Sequence, residues 1–110
     1  MRTNETLEDL YAVVADRKVH PQEGSYTCYL FDKGLDKILK KIGEESAETI
    51  IAAKNEDASA LCGEVCDLIY HLVVMCVEKG LPISSVMEEL DARSRKIGNL
   101  KVMKNVDRNT

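Results

Sequence analysis

The sequence predicts an all-α protein, a bundle of four to five helices. Apolar residues recur at the 3.6-residue helical period in several stretches of the chain. Short breaks that contain Gly, Pro or Asn separate these stretches. The 110 residues suffice for one hydrophobic core but not for two independently folded domains. We therefore expect residues 1–110 to form a single helical domain.

The first predicted helix runs from about Leu7 to Arg17, where apolar residues form one stripe and Thr6 is placed as the N-cap. The helical pattern then breaks between Lys18 and Gly34, a segment that contains Pro21 and Gly24. Three of the five aromatic residues of the chain lie in this segment, within residues 25–31. We expect a loop that its aromatic side chains anchor to the rest of the domain.

Two long helices follow. Leu35–Lys54 is predicted as an amphipathic helix, with its apolar stripe on one side and its glutamates on the opposite face. Ala58–Glu78 is apolar almost all round, which predicts a buried central helix that ends at Gly80. Four helices of one chain cannot easily cover a helix that is apolar on all sides. We therefore expect a second copy of the chain to help enclose it.

The last helix is predicted from Ser85 to about Lys96, because Ser85 and Glu88 have the spacing of a capping box. The polar tail from about residue 99 is expected to be frayed.

Composition excludes several classes of function. Acidic residues (19) and basic residues (15) are mixed along the chain, so no basic surface for nucleic acid is predicted. The apolar run Leu68–Val77 is interrupted by His71 and is too short to span a membrane, which predicts a cytoplasmic protein. Three of the four cysteines lie in the apolar helix rather than in zinc-binding loops, so free thiols are expected.

Carboxylates in the two long helices are the strongest chemical signal. Glu44, Glu45 and Glu48 fall within an arc of about 100° of the helix surface. Such a triplet alone is usually a solvated surface. In the next helix Glu64 and Asp67 lie on one face of an apolar stretch. Burying an unpaired carboxylate there would carry a desolvation penalty on the order of several kcal/mol.

A divalent cation explains these five carboxylates better than lysine pairing does. Lys37 and Lys41 lie on the same face as Glu44 and Glu48, but two lysines cannot neutralise five acidic groups. Oxygen ligands alone favour Mg²⁺, with Mn²⁺ as a possible substitute, over Zn²⁺. His71 is expected to hydrogen-bond behind Asp67 rather than to bind the metal.

A carboxylate-bound metal suits a polyphosphate substrate. Such a metal neutralises phosphate charge, stabilises the leaving group and activates water, so the predicted chemistry is hydrolysis of a phosphoanhydride. The chain has no Gly-rich loop that would bind phosphates through backbone N–H groups. Lys37 and Lys41 are placed to contact substrate phosphates instead.

The two acidic motifs also carry a family resemblance. Glu44-Glu45-x-x-Glu48 followed by Glu64-x-x-Asp67 resembles the all-α nucleoside triphosphate pyrophosphohydrolases. Within that superfamily, Ser25-Tyr26-Thr27 with Leu30-Phe31, and the run from Asp67 to Leu72, are similar to the phosphoribosyl-ATP pyrophosphatases. The resemblance covers about residues 7–98.

The resemblance implies hydrolysis of phosphoribosyl-ATP between its α and β phosphates, in the second step of histidine biosynthesis, by a homodimer or higher homo-oligomer. It assigns Mg²⁺ binding and catalysis to five carboxylates, Glu44, Glu45, Glu48, Glu64 and Asp67. The resemblance also implies that one of these glutamates, with Glu44 as the candidate, orients or deprotonates the attacking water instead. Tyr26 and Thr27 are implied to contact the substrate, and Arg93 is a candidate for its phosphoribosyl end.

Two other functions fit the sequence. A hydrolase of the same superfamily could use the same metal cluster on dUTP, dCTP or damaged nucleotides, and only the segment of residues 25–31 argues against it. A non-catalytic helical dimerisation module would use the carboxylates for salt bridges alone and would show no metal dependence.

Overall fold

Five α-helices make up residues 3–99, which the computed structural model describes, with side chains described for residues 5–96. They are α1 (Thr3–Val19), α2 (Tyr26–Lys33), α3 (Leu35–Lys54), α4 (Ala58–Lys79) and α5 (Ile83–Asn99). The predicted all-α class and the number of helices are confirmed. The frayed tail predicted from about residue 99 lies almost wholly outside the described residues.

The two long helices begin and end close to the predicted positions. α3 has the predicted bounds, and α4 extends one residue beyond them. Asp57 caps α4, because its carboxylate accepts a hydrogen bond from the Ala60 N–H at 3.1 Å. Gly80 ends α4 in the left-handed conformation, at φ 71°, which a glycine adopts without steric cost.

Two predicted N-caps are wrong. α1 begins at Thr3, so Thr6 lies inside the helix rather than at its start. α5 begins at Ile83, directly after Pro82, whose fixed φ suits the start of a helix. The Ser85 N–H already donates to the Pro82 carbonyl at 3.1 Å, which places Ser85 within the first turn. Side chains with capping spacing therefore occur here inside helices.

The loop predicted between Lys18 and Gly34 is wrong over Tyr26–Lys33, which forms α2. The Ser25 hydroxyl oxygen caps this helix by accepting from the Cys28 N–H at 3.1 Å. Eight residues are too few for a helical period to stand out in the sequence. Gly34, at φ 95°, turns the chain sharply into α3, so α2 packs against the helix that follows it.

The core lies between the first four helices and the start of α5. α3 and α4 make the most extensive helix–helix contact, and the short link of residues 55–57 makes them an antiparallel hairpin. α1 packs on α4 and α2, whereas α5 packs on α1. The fully buried side chains are Val14, Leu30, Ile38, Val73 and Val74.

α4 is buried only in its second part, so the predicted buried central helix is wrong for residues 58–70. Its buried side chains all lie between His71 and Val77. Val65, Ile69 and Leu72 recur at helical spacing on one face of α4 and each remain more than a third exposed, so no described helix covers that face. The apolar stripe of α3 is also partly uncovered, with Ile50 65% and Ile51 59% exposed.

By length and composition, α4 is the one described helix that could cross a membrane. A core helix of a soluble protein meets the same criteria. Here the second half of α4 lies in the core of the domain, and Glu64 and Asp67 lie in its first half. The four cysteines are free thiols, as expected.

Candidate metal centre

Three carboxylates converge where α3 and α4 pack together. Glu45 and Glu48 come from α3 and Glu64 from α4, and each offers an oxygen atom within 4.8 Å of the others. Thr49 links the two backbones beside them, since its hydroxyl lies 2.8 Å from the Glu45 carbonyl and 3.3 Å from the Glu64 carbonyl. We call Glu45, Glu48 and Glu64 the carboxylate cluster.

Glu45 points into the protein. Ile38, Glu45 and Ala52 are spaced by seven residues, two helical turns, and these three are the buried residues of α3. The prediction that the glutamates lie opposite the apolar stripe is therefore wrong for Glu45. Leu39 and Ile50 form part of the apolar stripe in the sequence, yet both are exposed in the structure, so that stripe does not mark the buried face of α3.

Two oxygen atoms of the carboxylate cluster are buried without a hydrogen-bond partner among the described residues, Oε1 of Glu45 and Oε1 of Glu64. Burying an unpaired carboxylate oxygen is unfavourable unless a donor or a cation compensates. An all-oxygen donor set is what Mg²⁺ and Mn²⁺ prefer. The residues present therefore fit a divalent cation of this class.

Electrostatics within the carboxylate cluster point the same way. Burial raises the pKa of Glu64 above its usual range, and the charge of Glu48 and its hydrogen bond to the protonated Glu64 carboxyl raise it further. Glu45 and Asp67 add to this repulsion. Negative charge is thus concentrated beyond what the nearby side chains neutralise.

Two of the five predicted carboxylates lie outside the compact group. Glu44 is half exposed and pairs with Lys41, whose Nζ lies 3.3 Å from Glu44 Oε1 and 3.7 Å from Glu45 Oε2. Burial alone would lower the pKa of Lys41, but its hydrogen bond to Glu44 and the neighbouring negative charges raise it. Asp67 is exposed, one turn beyond Glu64, and close enough to affect the pKa of Glu64.

His71 is buried and joins α4 to α2. Its Nδ1 lies 2.8 Å from the Asp67 carbonyl oxygen, which can only accept, so Nδ1 carries the proton and donates. Nε2 is then the acceptor for the Tyr26 hydroxyl at 2.9 Å. The predicted contact with Asp67 exists, but through the backbone of Asp67 and not through its carboxylate.

Tyr26 lies at the edge of the carboxylate cluster. Burial raises the pKa of its phenol, Lys41 opposes that shift, and the charge of Glu45 adds to it. The neighbouring Thr27 hydroxyl forms a hydrogen bond with the Tyr70 hydroxyl, which burial keeps protonated by raising its pKa. The first turn of α2 is thus fastened to α4 at two side-chain pairs.

Tyr29 and two lysines extend this surface, and only Lys37 among them was predicted. The rings of Tyr26 and Tyr29 stack with centroids 5.9 Å apart. Lys33 Nζ and Lys37 Nζ lie 5.8 and 5.9 Å from the Tyr29 ring centroid. Tyr29 and Lys33 were not predicted as site residues, because the sequence predicts a loop where they lie on α2.

Arg93 is not brought to this surface. It lies on α5, where its Nε donates to Glu89 Oε2 at 2.9 Å, and α5 packs on α1. Its predicted contact with the substrate has no counterpart among the contacts of a single chain.

A cavity of about 290 Å³ opens beside Glu48 and Glu64, at the end where α3 turns into α4. Asn55, Asp57 and Ala60 also line it. Because Glu48, Asp57 and Glu64 are all acidic, this space suits an anionic group only when a bound cation neutralises part of their charge.

The chain is similar to known proteins over most of its length. Residues 7–94 match the family model described as phosphoribosyl-ATP pyrophosphohydrolase. The chain is 54% identical over 101 residues to the phosphoribosyl-ATP pyrophosphatase of Clostridium botulinum, which covers 92% of each chain. It is 56% identical over 95 residues to the enzyme of the same name from Limosilactobacillus fermentum, covering 86% of this chain and 90% of that one.

A longer relative is also similar. The histidine biosynthesis bifunctional protein HisIE of Thermoanaerobacter pseudethanolicus is 58% identical over 83 residues, which are 76% of this chain and 38% of that protein. The family match spans both helices of the carboxylate cluster.

Proposed function

The chain belongs to the phosphoribosyl-ATP pyrophosphohydrolase family, a family of hydrolases, and from this premise we propose that it hydrolyses phosphoribosyl-ATP in histidine biosynthesis. The bond cleaved is the α–β phosphoanhydride, and the products are phosphoribosyl-AMP and pyrophosphate. The reaction depends on Mg²⁺, which Mn²⁺ can replace.

The observation that carries the metal proposal is the pair of buried, unpartnered oxygens on Glu45 and Glu64. Together with Glu48, these side chains would hold Mg²⁺. Asp67 and Glu44 border the site. A bound Mg²⁺ would supply charge neutralisation for the phosphate oxygens and would lower the pKa of the attacking water.

The other side chains orient the substrate. Lys41 stands between Glu44 and Glu45, where its ammonium group can contact a phosphate oxygen. Glu44 lies outside the compact group and is therefore the candidate to orient or deprotonate the water. Tyr26, held by His71, and Thr27, held by Tyr70, form the wall on the α2 side.

We also propose that the chain works as a homodimer or higher homo-oligomer in the cytoplasm. The support is the exposed apolar surface of α3 and α4, which includes Ile50, Ile51 and Ile69. A patch of this kind on one chain is typical of a surface covered by a second copy. A second copy on this surface would also bury the apolar residues of α4 in protein, so that the helix needs no membrane.

The test is pyrophosphate release from phosphoribosyl-ATP, with ATP, dUTP and dCTP in parallel, in Mg²⁺ and in EDTA. We expect turnover of phosphoribosyl-ATP alone, abolished by EDTA. Glu48→Gln should lose it, whereas Glu88→Gln, the same substitution at an exposed position on α5, should retain it.

The other outcomes separate the alternatives. Turnover of dUTP or dCTP in preference to phosphoribosyl-ATP would retain the metal centre and contradict the pathway. Absence of release from every nucleotide, with correct folding by circular dichroism, would favour a non-catalytic dimerisation module.

A further inference from the structure

We propose that Tyr29, Lys33 and Lys37, which we call the lysine–tyrosine patch, bind the phosphoribosyl end of the substrate and so distinguish it from simple nucleotides. This inference rests on the proposed function. It concerns the part of the substrate that lies away from the bond that is cleaved.

Both lysines of the lysine–tyrosine patch are available to an anionic ligand. Lys33 and Lys37 each lie near the Tyr29 ring, and among residues 5–96 neither has a carboxylate within ion-pair distance. By contrast, Lys41 pairs with Glu44, and Arg93 pairs with Glu89. Two cations that converge on one exposed ring without an anionic partner are suited to a phosphate group.

The lysine–tyrosine patch is continuous with the carboxylate cluster. Lys41 touches Glu45, and Tyr26 is close enough to both that their charges alter its pKa. The Tyr26 ring stacks on Tyr29, with an interplanar angle of 23°. A continuous surface therefore leads from the acidic cluster, across two aromatic rings, to the lysines.

The order of chemistry along this surface matches the substrate. Phosphoribosyl-ATP has a triphosphate at one end, a flat base in the middle, and a ribose with a single phosphate at the other end. The metal-binding carboxylates suit the triphosphate. The half-exposed Tyr26 and Tyr29 rings offer a stacking surface for the base, and the lysines suit the second phosphate.

The distance is also suitable. Glu45 and Lys37 are eight residues apart on α3, which is about 12 Å along the helix axis at 1.5 Å per residue. A purine that carries a ribose phosphate has this length scale. ATP, dUTP and dCTP lack the second phosphate and would leave the lysine–tyrosine patch unused.

The experiment measures binding by isothermal titration calorimetry of phosphoribosyl-AMP and of AMP, in Mg²⁺, so that it does not depend on turnover. The proteins are wild type, the double variant Lys33→Met/Lys37→Met, the single variant Arg93→Ala, and the control Lys40→Met. Lys40 is exposed on the same helix, and none of the described ring contacts involves it. Methionine keeps the length of the side chain and removes its charge.

We expect wild type and Lys40→Met to bind phosphoribosyl-AMP more tightly than AMP. The double variant should lose roughly tenfold or more of that preference, as expected for charge-assisted contacts. In turnover, the KM for phosphoribosyl-ATP should rise by a similar factor with little change in kcat, because the contact is remote from the reacting phosphates.

A preference that survives in the double variant overturns the proposal. If Arg93→Ala abolishes it instead, the phosphoribosyl end binds at α5. If wild type shows no preference and releases no pyrophosphate from phosphoribosyl-ATP, the proposed function itself fails. If wild type turns over phosphoribosyl-ATP and the double variant keeps its affinity, only the lysine–tyrosine patch is wrong.

Discussion

Removing the Tyr26 hydroxyl should loosen the attachment of α2 to α4. This hydroxyl donates to Nε2 of His71 at 2.9 Å. Nδ1 of His71 is already engaged with the Asp67 carbonyl, so the ring cannot turn to find another partner without breaking that bond. Tyr26→Phe keeps the ring and its stacking on Tyr29, and it deletes only the hydrogen bond.

The size of the effect follows from burial. A hydrogen bond contributes about 0.5–1.5 kcal/mol net, and leaving a buried acceptor unpaired costs about 1–3 kcal/mol. His71 is 4% exposed, but Tyr26 is 44% exposed, so water reaches one side of the pair. We therefore expect the free energy of unfolding to fall by about 1–2 kcal/mol, between these limits.

Urea unfolding at fixed protein concentration measures this change. With a slope of about 2 kcal/mol per molar urea, in the middle of the range for small proteins, the midpoint should fall by roughly 0.5–1 M. Tyr29→Phe is the matched control, since no hydrogen bond of its hydroxyl occurs among the described residues, and it should change stability by less than about 0.5 kcal/mol. A double-mutant cycle with His71→Leu should give a coupling energy of about 1 kcal/mol.

The reasoning is refuted if Tyr26→Phe and Tyr29→Phe are equally stable, or if the Tyr26 and His71 substitutions are additive. Either result would mean that the hydrogen bond does not hold α2 in solution. The proposed wall of the substrate site would then lack its support.

Three further predictions concern the core, the electrostatics and the assembly. Leu30→Ala, at a fully buried position on α2, should cost about 2–5 kcal/mol in urea unfolding, and a cost below 1 kcal/mol would contradict the packing. Without metal, in EDTA, the pKa of the Glu64 carboxyl is raised in the folded chain, so the folded chain binds the carboxyl proton more tightly than the unfolded chain does. The stability of the metal-free protein should therefore fall as the pH rises from the ordinary Glu range through the raised pKa. The fall, measured by thermal melts at a series of pH values, should be smaller in Glu64→Gln. The same pH profile in Glu64→Gln and wild type would contradict this prediction. Ile51→Asp, on the exposed apolar surface, should lower the mass measured by light scattering, whereas an unchanged mass would place the interface elsewhere.

The sequence was informative wherever a pattern was long. The apolar pattern of the two long helices and the Gly80 signal predicted their bounds to within a residue, because twenty-residue patterns average out local exceptions. α2 escaped prediction because its eight residues form a helix largely through the Ser25 cap and the burial of Leu30. The cap is a local contact, whereas the burial of Leu30 depends on packing against other helices.

For the candidate site, spacing predicted which carboxylates could meet but not which way each one faces. Glu45 lies on the buried face of α3 because α4 covers that face. The apolar residues Leu39 and Ile50 are exposed, so the apolar pattern in the sequence indicated a different buried face. The partner of His71 was equally hidden, since Tyr26 is 45 residues away in the chain. Contacts between distant segments carry no periodic signal.

The metal centre is tested most directly by titrating Mn²⁺ into the protein and following the signal of free Mn²⁺ by electron paramagnetic resonance. Wild type and Glu88→Gln should bind Mn²⁺ equally, and Mg²⁺ should displace it. Glu48→Gln should bind at least roughly tenfold more weakly, since even the loss of a supporting residue commonly costs that much. Equal binding by Glu48→Gln and wild type would contradict the assignment of the carboxylate cluster as the metal site.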